Sequence, residues 1–348
     1  MKNSFTKFLA LFLVLILSVV ALAACGAKEE APSSDSESNT KEEAKAEEEK
    51  FVFKLGHAAD EENTWHKGAI KFAELVNEKS NGRIEVKVYP NEQLGNEMDN
   101  ITGVQAGTAD MVISGETLQN WAPKVGVMAA PYVIRDSEHL RNVVDGEIGQ
   151  EIEKEIIDKA SLRPLFWYER GPRYLTSNRP IKTPEDLKGM ILRVPNVPIF
   201  VKSWEALGAK PTPMAFSEVF TGLQQGTVEG QENPLALINS AGFYEVQKNV
   251  NKTAHVRSWI YVLIGEKQWQ KLPEDLKAVV KEAAKEAQEY EHKLFLEDEE
   301  KLTKLLQERG MTFVDVDQEA FKTKVETALK DTLTEEQFDL YQRIKEVK

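Results

Sequence analysis

The sequence predicts an α/β fold of two similar lobes facing a cleft, with parallel-rich sheets flanked by helices. Three observations carry that expectation. From Phe51 onward, short apolar strands alternate with amphipathic helical stretches, the pattern of sheets joined by crossover helices. The stretch TGVQAGTAD at Thr102–Asp110 returns as TGLQQGTVE at Thr221–Glu229, so the second half echoes a unit of the first. A helical pattern from Leu272 to about Glu308 is ~50 Å long at the rise of an α-helix, longer than one lobe.

The chain has 348 residues, enough for two domains of ordinary size. Its net charge of −13 argues against a nucleic-acid partner. It does not argue against an anionic ligand, because a pocket can be locally positive. Met1–Ala24 reads as a signal peptide: Lys2 and Lys7 precede an apolar run from Phe8 to Ala21, and small residues follow. Leu22-Ala23-Ala24-Cys25-Gly26 resembles a bacterial lipobox, which implies cleavage before Cys25 and lipid on its sulfur and amine. A plain cleaved signal or an uncleaved anchor is the alternative. Cys25 is the only cysteine, so no intrachain disulfide can form. Residues 26–50 have no aromatic or large aliphatic side chain and read as an acidic tether.

The folded part begins with a strand, Phe51–Gly56, that runs into His57. A helix over about Thr64–Ser80 closes at Asn81-Gly82. Ile84, Val86 and Val88 alternate as a second strand. A helix over Glu97–Ala106 stops at Gly107 and enters a strand at Asp110–Ile113. One helix is predicted over Ser137–Ala160. Leu165–Tyr168 is strand-like, and Gly171-Pro172 marks a turn between lobes. Thr183-Pro184 opens a short helix. Met190–Val194 reads as a buried strand, Ser217 as the cap of the next helix, and Gln231–Pro234 as a polar stretch after a short strand. A helix to about Phe243 and a returning strand, His255–Gly265, precede the long helix, for which a kink near Glu297–Glu300 is allowed. Thr334 and Gln337 form a capping box for the last helix.

Nucleotide-binding glycine motifs, zinc-protease motifs and nucleophile elbows are absent from the sequence, so no cofactor is expected. The five histidines are scattered; His57 and His66 can meet in space, but their spacing matches no metal motif. The candidate residues belong to recognition. Arg193 sits in an apolar run, and a guanidinium is rarely buried without a partner. Arg173 follows the Gly-Pro turn. An arginine fork, an amide from Asn233 and the face of Phe216 suit a small hydroxylated acid. His57 and Glu116 follow strands, at the ends where α/β clefts take ligands. Taken singly, each has a plainer role: the arginines pairing with an Asp or Glu, Asn233 a turn residue, and Phe216 and Trp204 core.

Five segments together resemble one family: Gly171–Arg173, Thr176–Arg179, Leu192–Asn196, Pro211–Phe220 and Gly230–Pro234. Gln93–Gly95 and Phe243–Gln247 extend the similarity, which runs from about Phe51 to Gln307. The family is the extracytoplasmic solute receptors of tripartite ATP-independent periplasmic (TRAP) transporters, of the C4-dicarboxylate and sialic-acid-binding type. The resemblance implies a type II periplasmic-binding-protein-like fold with hinge strands and a long spanning helix. One lobe would hold 51–170 and 259–298, the other 171–258 and 299–348. It implies that Arg193 makes the carboxylate salt bridge, that Arg173 and Asn233 assist, that Phe216 lies against the ligand and that Asn196 reaches it. Glu116 is shifted by one place from the site glutamate of the sialic-acid receptors. With the His57 and Glu169–Arg173 neighbourhoods, this points toward receptors of sugar acids such as uronates.

The expectation is therefore a monomeric receptor, lipid-anchored outside the cytoplasm of a Gram-positive cell. It captures a carboxylate without turnover and hands it to a sodium-coupled TRAP permease. The rivals are a receptor for C4-dicarboxylates or sialic acid, one that presents its ligand to a sensor kinase, and a secreted enzyme acting on sugar acids.

Overall fold

A computed structural model of the protein describes residues 49–348. The signal peptide, Cys25 and nearly all of the acidic tether lie outside the described residues. Strand β1 (Phe51–Gly56) buries Phe51, Phe53 and Leu55 while Val52 and Lys54 face solvent, the alternation a half-buried strand requires. The helix Thr64–Lys79 is capped by Asn63, whose side chain accepts from the Trp65 N–H at 3.0 Å. Asn81 and Gly82 both have positive φ and turn the chain into β2 (Ile84–Tyr89). The helix Glu97–Ala106 leads to β3 (Met111–Ser114). Both β2 and β3 lie parallel to β1.

The remaining strands are β4 (Leu162–Arg170), β5 (Tyr174–Ser177), β6 (Ile191–Val194), β7 (Lys210–Pro213), β8 (Gly230–Asn233), β9 (Asn249–Asn251), β10 (Ser258–Gly265) and β11 (Thr312–Val314). They make a five-stranded sheet, β2-β1-β3-β10-β4, and a six-stranded one, β11-β9-β5-β8-β6-β7. Both sheets are mixed. Strands joined by helical crossovers pair parallel, as predicted. β10 runs antiparallel to β3 and β4, and β5 antiparallel to β8 and β9. The chain passes from the first sheet to the second at Gly171-Pro172-Arg173, with no crossover helix to enforce parallel pairing.

The sequence echo is a structural repeat. Gly107 and Gly226 both adopt left-handed φ, 88° and 72°. After each, the next two N–H groups donate to Gly103 or Gly222 at 2.9 and 3.3 Å. The acid that follows, Asp110 or Glu229, accepts from the backbone of the adjoining strand, at Lys54 N or Ile191 N.

Several local expectations change. The helix over Ser137–Ala160 is broken into Ser137–Val144 and Glu147–Glu155. A Cβ on Gly149 would come 1.8 Å from the Val144 carbonyl oxygen, so the close return of the chain depends on glycine. Ser217 caps nothing: it lies inside a short 3-10 turn, Phe216–Glu218, whose Glu218 carboxylate accepts from the Ala215 N–H. Gln231, Glu232 and Asn233 do not follow a strand; they are β8 itself, fully buried. The long helix, Glu274–Glu308, is continuous over 35 residues, and no proline or glycine in it favours a kink. Leu276, Val280, Ala283 and Ala287 pack with Phe53 and Leu55, while Leu302 and Leu306 pack with Val250. One helix therefore feeds two cores.

Candidate functional site

Where the chain crosses between sheets, a narrow recess of about 60 Å³ is lined by Arg170, Arg173, Arg193, Glu116, Phe216 and Asn233, among others. Arg193 is carried by β6, between Leu192 and Val194, and is 3% exposed. Its Nε and Nη2 donate to the Met214 carbonyl at 3.0 and 2.6 Å. Among the described residues no carboxylate pairs with it. Burial holds its pKa down to about 10, so the guanidinium is still cationic at neutral pH. Half of the fork is fixed and its charge is left for an anion.

Arg173 is equally deep but already satisfied. Its Nε and Nη2 reach the two Glu232 carboxylate oxygens at 2.5 and 2.7 Å, and Nη2 also reaches the Glu232 carbonyl at 2.8 Å. His255 Nε2 donates to the same carboxylate at 2.9 Å, and its Nδ1 accepts from Thr253 Oγ1. Burial alone would raise the Glu232 pKa. Arg173 and His255 outweigh it and draw the carboxyl down to about 2. The plainer role for an arginine, holding a turn through a carboxylate, thus describes Arg173 and not Arg193.

Arg170, at the end of β4, was no sequence candidate. It pairs with Glu116, which also accepts from Ser258 Oγ at 2.5 Å, and it lies 5.3 Å over the Trp65 ring. Glu116 therefore enters the recess with its charge neutralised. Asn233 Nδ2 donates to Gln231 Oε1 at 2.6 Å, and Gln231 passes the chain on to Thr176. Phe216 meets Phe243 edge-on, centroids 5.9 Å apart, and presents its ring to the recess. Asn196 lines an adjoining hollow that shares Arg193, Pro195 and Phe216. His57 is not among the lining residues; its Nε2 lies 3.1 Å from His66 Nδ1, and burial, then His66, pushes its pKa down to about 3.

Sequence reasoning also passed over Glu97 and Trp65. Glu97 opens its helix, a place where any acid is favoured, so nothing marked it as a recess residue. Two arginines in the polar turn after an apolar strand were the signal available for Arg170. In a larger hollow beside Tyr132 and Tyr174, the lysines pair with Asp315 and Glu319.

A buried arginine with no carboxylate beside it, in a cleft between two sheets, suits an anionic ligand. The profile described as bacterial extracellular solute-binding protein, family 7, matches residues 55–336. The chain belongs to this family. It is a TRAP-type solute receptor acting outside the cytoplasm, as the resemblance implied, and the two-sheet fold is that of the family's solved structures. A solute-binding protein of Roseobacter denitrificans is 54% identical over 286 residues, 82% of this chain and 88% of the relative. A crystal structure of a TRAP periplasmic solute-binding protein from that species, with bound L-galactonate, superposes with a TM-score of 0.84 at 53% identity. That match covers 85% of this chain and 99% of the other. Another, from a Polaromonas species and bound to D-erythronate, gives 0.82 at 34% identity, covering 86% and 99%.

Proposed function

We propose that this receptor captures a sugar acid carrying a single carboxylate, with open-chain aldonates such as L-galactonate foremost and uronates next. It delivers the acid to a TRAP permease without turnover. The observation that carries the reading is Arg193: buried, fixed on one side by Met214 O and lacking a carboxylate partner among the described residues. The ligand carboxylate completes its fork, Phe216 covers the carbon chain, and Asn233 with Asn196 addresses hydroxyls. Closure of one sheet and its helices on the other desolvates the ion pair and strengthens it. The aldonates bound by the Roseobacter and Polaromonas relatives support this class. The lipobox supports anchoring through Cys25, which Cys25→Ser should abolish, moving the protein from the membrane fraction to the soluble one.

The test is calorimetric titration of the full chain, freed of carried-over ligand, with L-galactonate, D-erythronate, D-galacturonate, sialic acid and succinate. Saturable binding of the first three, with the acid recovered unchanged, is expected. Binding of succinate or sialic acid alone would overturn the ligand class, and conversion of the bound acid would make the protein an enzyme.

A further inference from the structure

The recess is lined by three arginines, Arg170, Arg173 and Arg193, and by two glutamates, Glu97 and Glu116. Arg170 pairs with Glu116 and Arg173 with Glu232. Arg193 and Glu97 remain, and neither forms an ion pair among the described residues. Glu97 lines both the recess and the adjoining hollow, with Arg193 on the wall of each. Ser114 Oγ donates to Glu97 Oε1 at 2.6 Å, which fixes the side chain from behind. Among its lining residues the recess thus offers one unpaired cation and, elsewhere on its wall, one unpaired acid.

We propose that Glu97 is a specificity residue: its carboxyl accepts hydroxyls of a ligand held at Arg193 and rejects any ligand with a second carboxylate at its other end. The inference rests on the binding mode proposed above. A hydroxyl donating to a carboxylate makes a charge-assisted hydrogen bond. A second carboxylate in the same place meets a like charge in a desolvated cleft, where the charges of Arg170 and Arg173 are already balanced by Glu116 and Glu232. Discrimination then comes from a built-in repulsion as well as from attraction. Burial raises the Glu97 pKa, so the repulsion is a property of the ionised carboxyl and fades as falling pH protonates it.

Galactarate is the decisive probe, because it is L-galactonate with its terminal alcohol oxidised to a second carboxylate. Calorimetry on the full chain should show galactarate at least about tenfold weaker than L-galactonate. Glu97→Gln should narrow that ratio several-fold, weakening L-galactonate and strengthening galactarate. Glu97→Asp, which keeps the charge, should keep most of the ratio and shows that the position tolerates change. Galactarate binding to the unaltered protein as tightly as L-galactonate, or a ratio unmoved by Glu97→Gln, overturns the role of Glu97 while the receptor assignment stands. If neither acid binds the unaltered protein, the ligand class has failed and the inference with it.

Discussion

Arg193 and Arg173 carry the same charge at the same depth, and their partners set them apart. Arg193→Ala removes a cation with no carboxylate partner. It should weaken L-galactonate binding by at least ~2 kcal/mol, about thirtyfold, with a stability loss under ~1.5 kcal/mol. Arg173→Ala strands Glu232 in the core and should cost ~3–5 kcal/mol of stability in urea denaturation. The opposite pattern would move the anion site to Arg173. Glu291 on the long helix bears on pH. It is fully buried, accepts from Thr64 Oγ1 at 2.7 Å, and burial pushes its pKa from 4.5 to about 8. Such a carboxyl takes up a proton on folding. Its contribution to stability is complete below its unfolded pKa and is lost as pH rises through about 8. Glu291→Gln should therefore gain in melting temperature over the unaltered protein as pH goes from about 5 to about 8. A gap that stays constant or shrinks would refute this.

At the scale of elements, the repeated helix-Gly-strand exit shows what a sequence can reveal. The glycine needs left-handed φ, and the acid after it anchors the next strand, so both copies keep the same letters. Arg193 was legible for a similar reason, as a charge framed by Ile191, Leu192 and Val194. Gln231, Glu232 and Asn233 were not legible as a strand, because three polar residues in a row lack the alternation that marks one. The break at Asp145-Gly146 was missed as well, because apolar residues continue at helical spacing on both sides of it. Two glycines near the site give a contrast. A Cβ on Gly230 would meet the Thr176 carbonyl oxygen at 2.4 Å, forcing β8 away from β5 and disturbing both Asn233 and the strand beside Arg193. Gly230→Ala should cost ~2–4 kcal/mol and weaken binding. Gly226 has open space around its Cβ position, so Gly226→Ala should cost only ~1 kcal/mol for its positive φ and leave affinity unchanged. Equal effects on affinity would mean that β8 does not position the site.

Across the whole molecule, a chain of net charge −13 presents a recess whose one unpaired cation is buried. The fold makes this possible by bringing strand ends from two sheets to one crossing, while the helix Glu274–Glu308 ties their cores together. The family motifs disclosed Arg193, Arg173, Asn233 and Phe216. They did not disclose which arginine was already spoken for, because that depends on Glu232 arriving from the neighbouring strand. Trp65, stacked under Arg170 at the recess wall, has an optical consequence. Indole emission responds to the charge and polarity beside it, so the molecule carries its own reporter of occupancy. L-galactonate should change tryptophan emission in proportion to the bound fraction. Trp65→Phe should silence that signal while calorimetry still registers binding. A signal that survives the substitution would come from another tryptophan, and would show that occupancy is felt well beyond the recess.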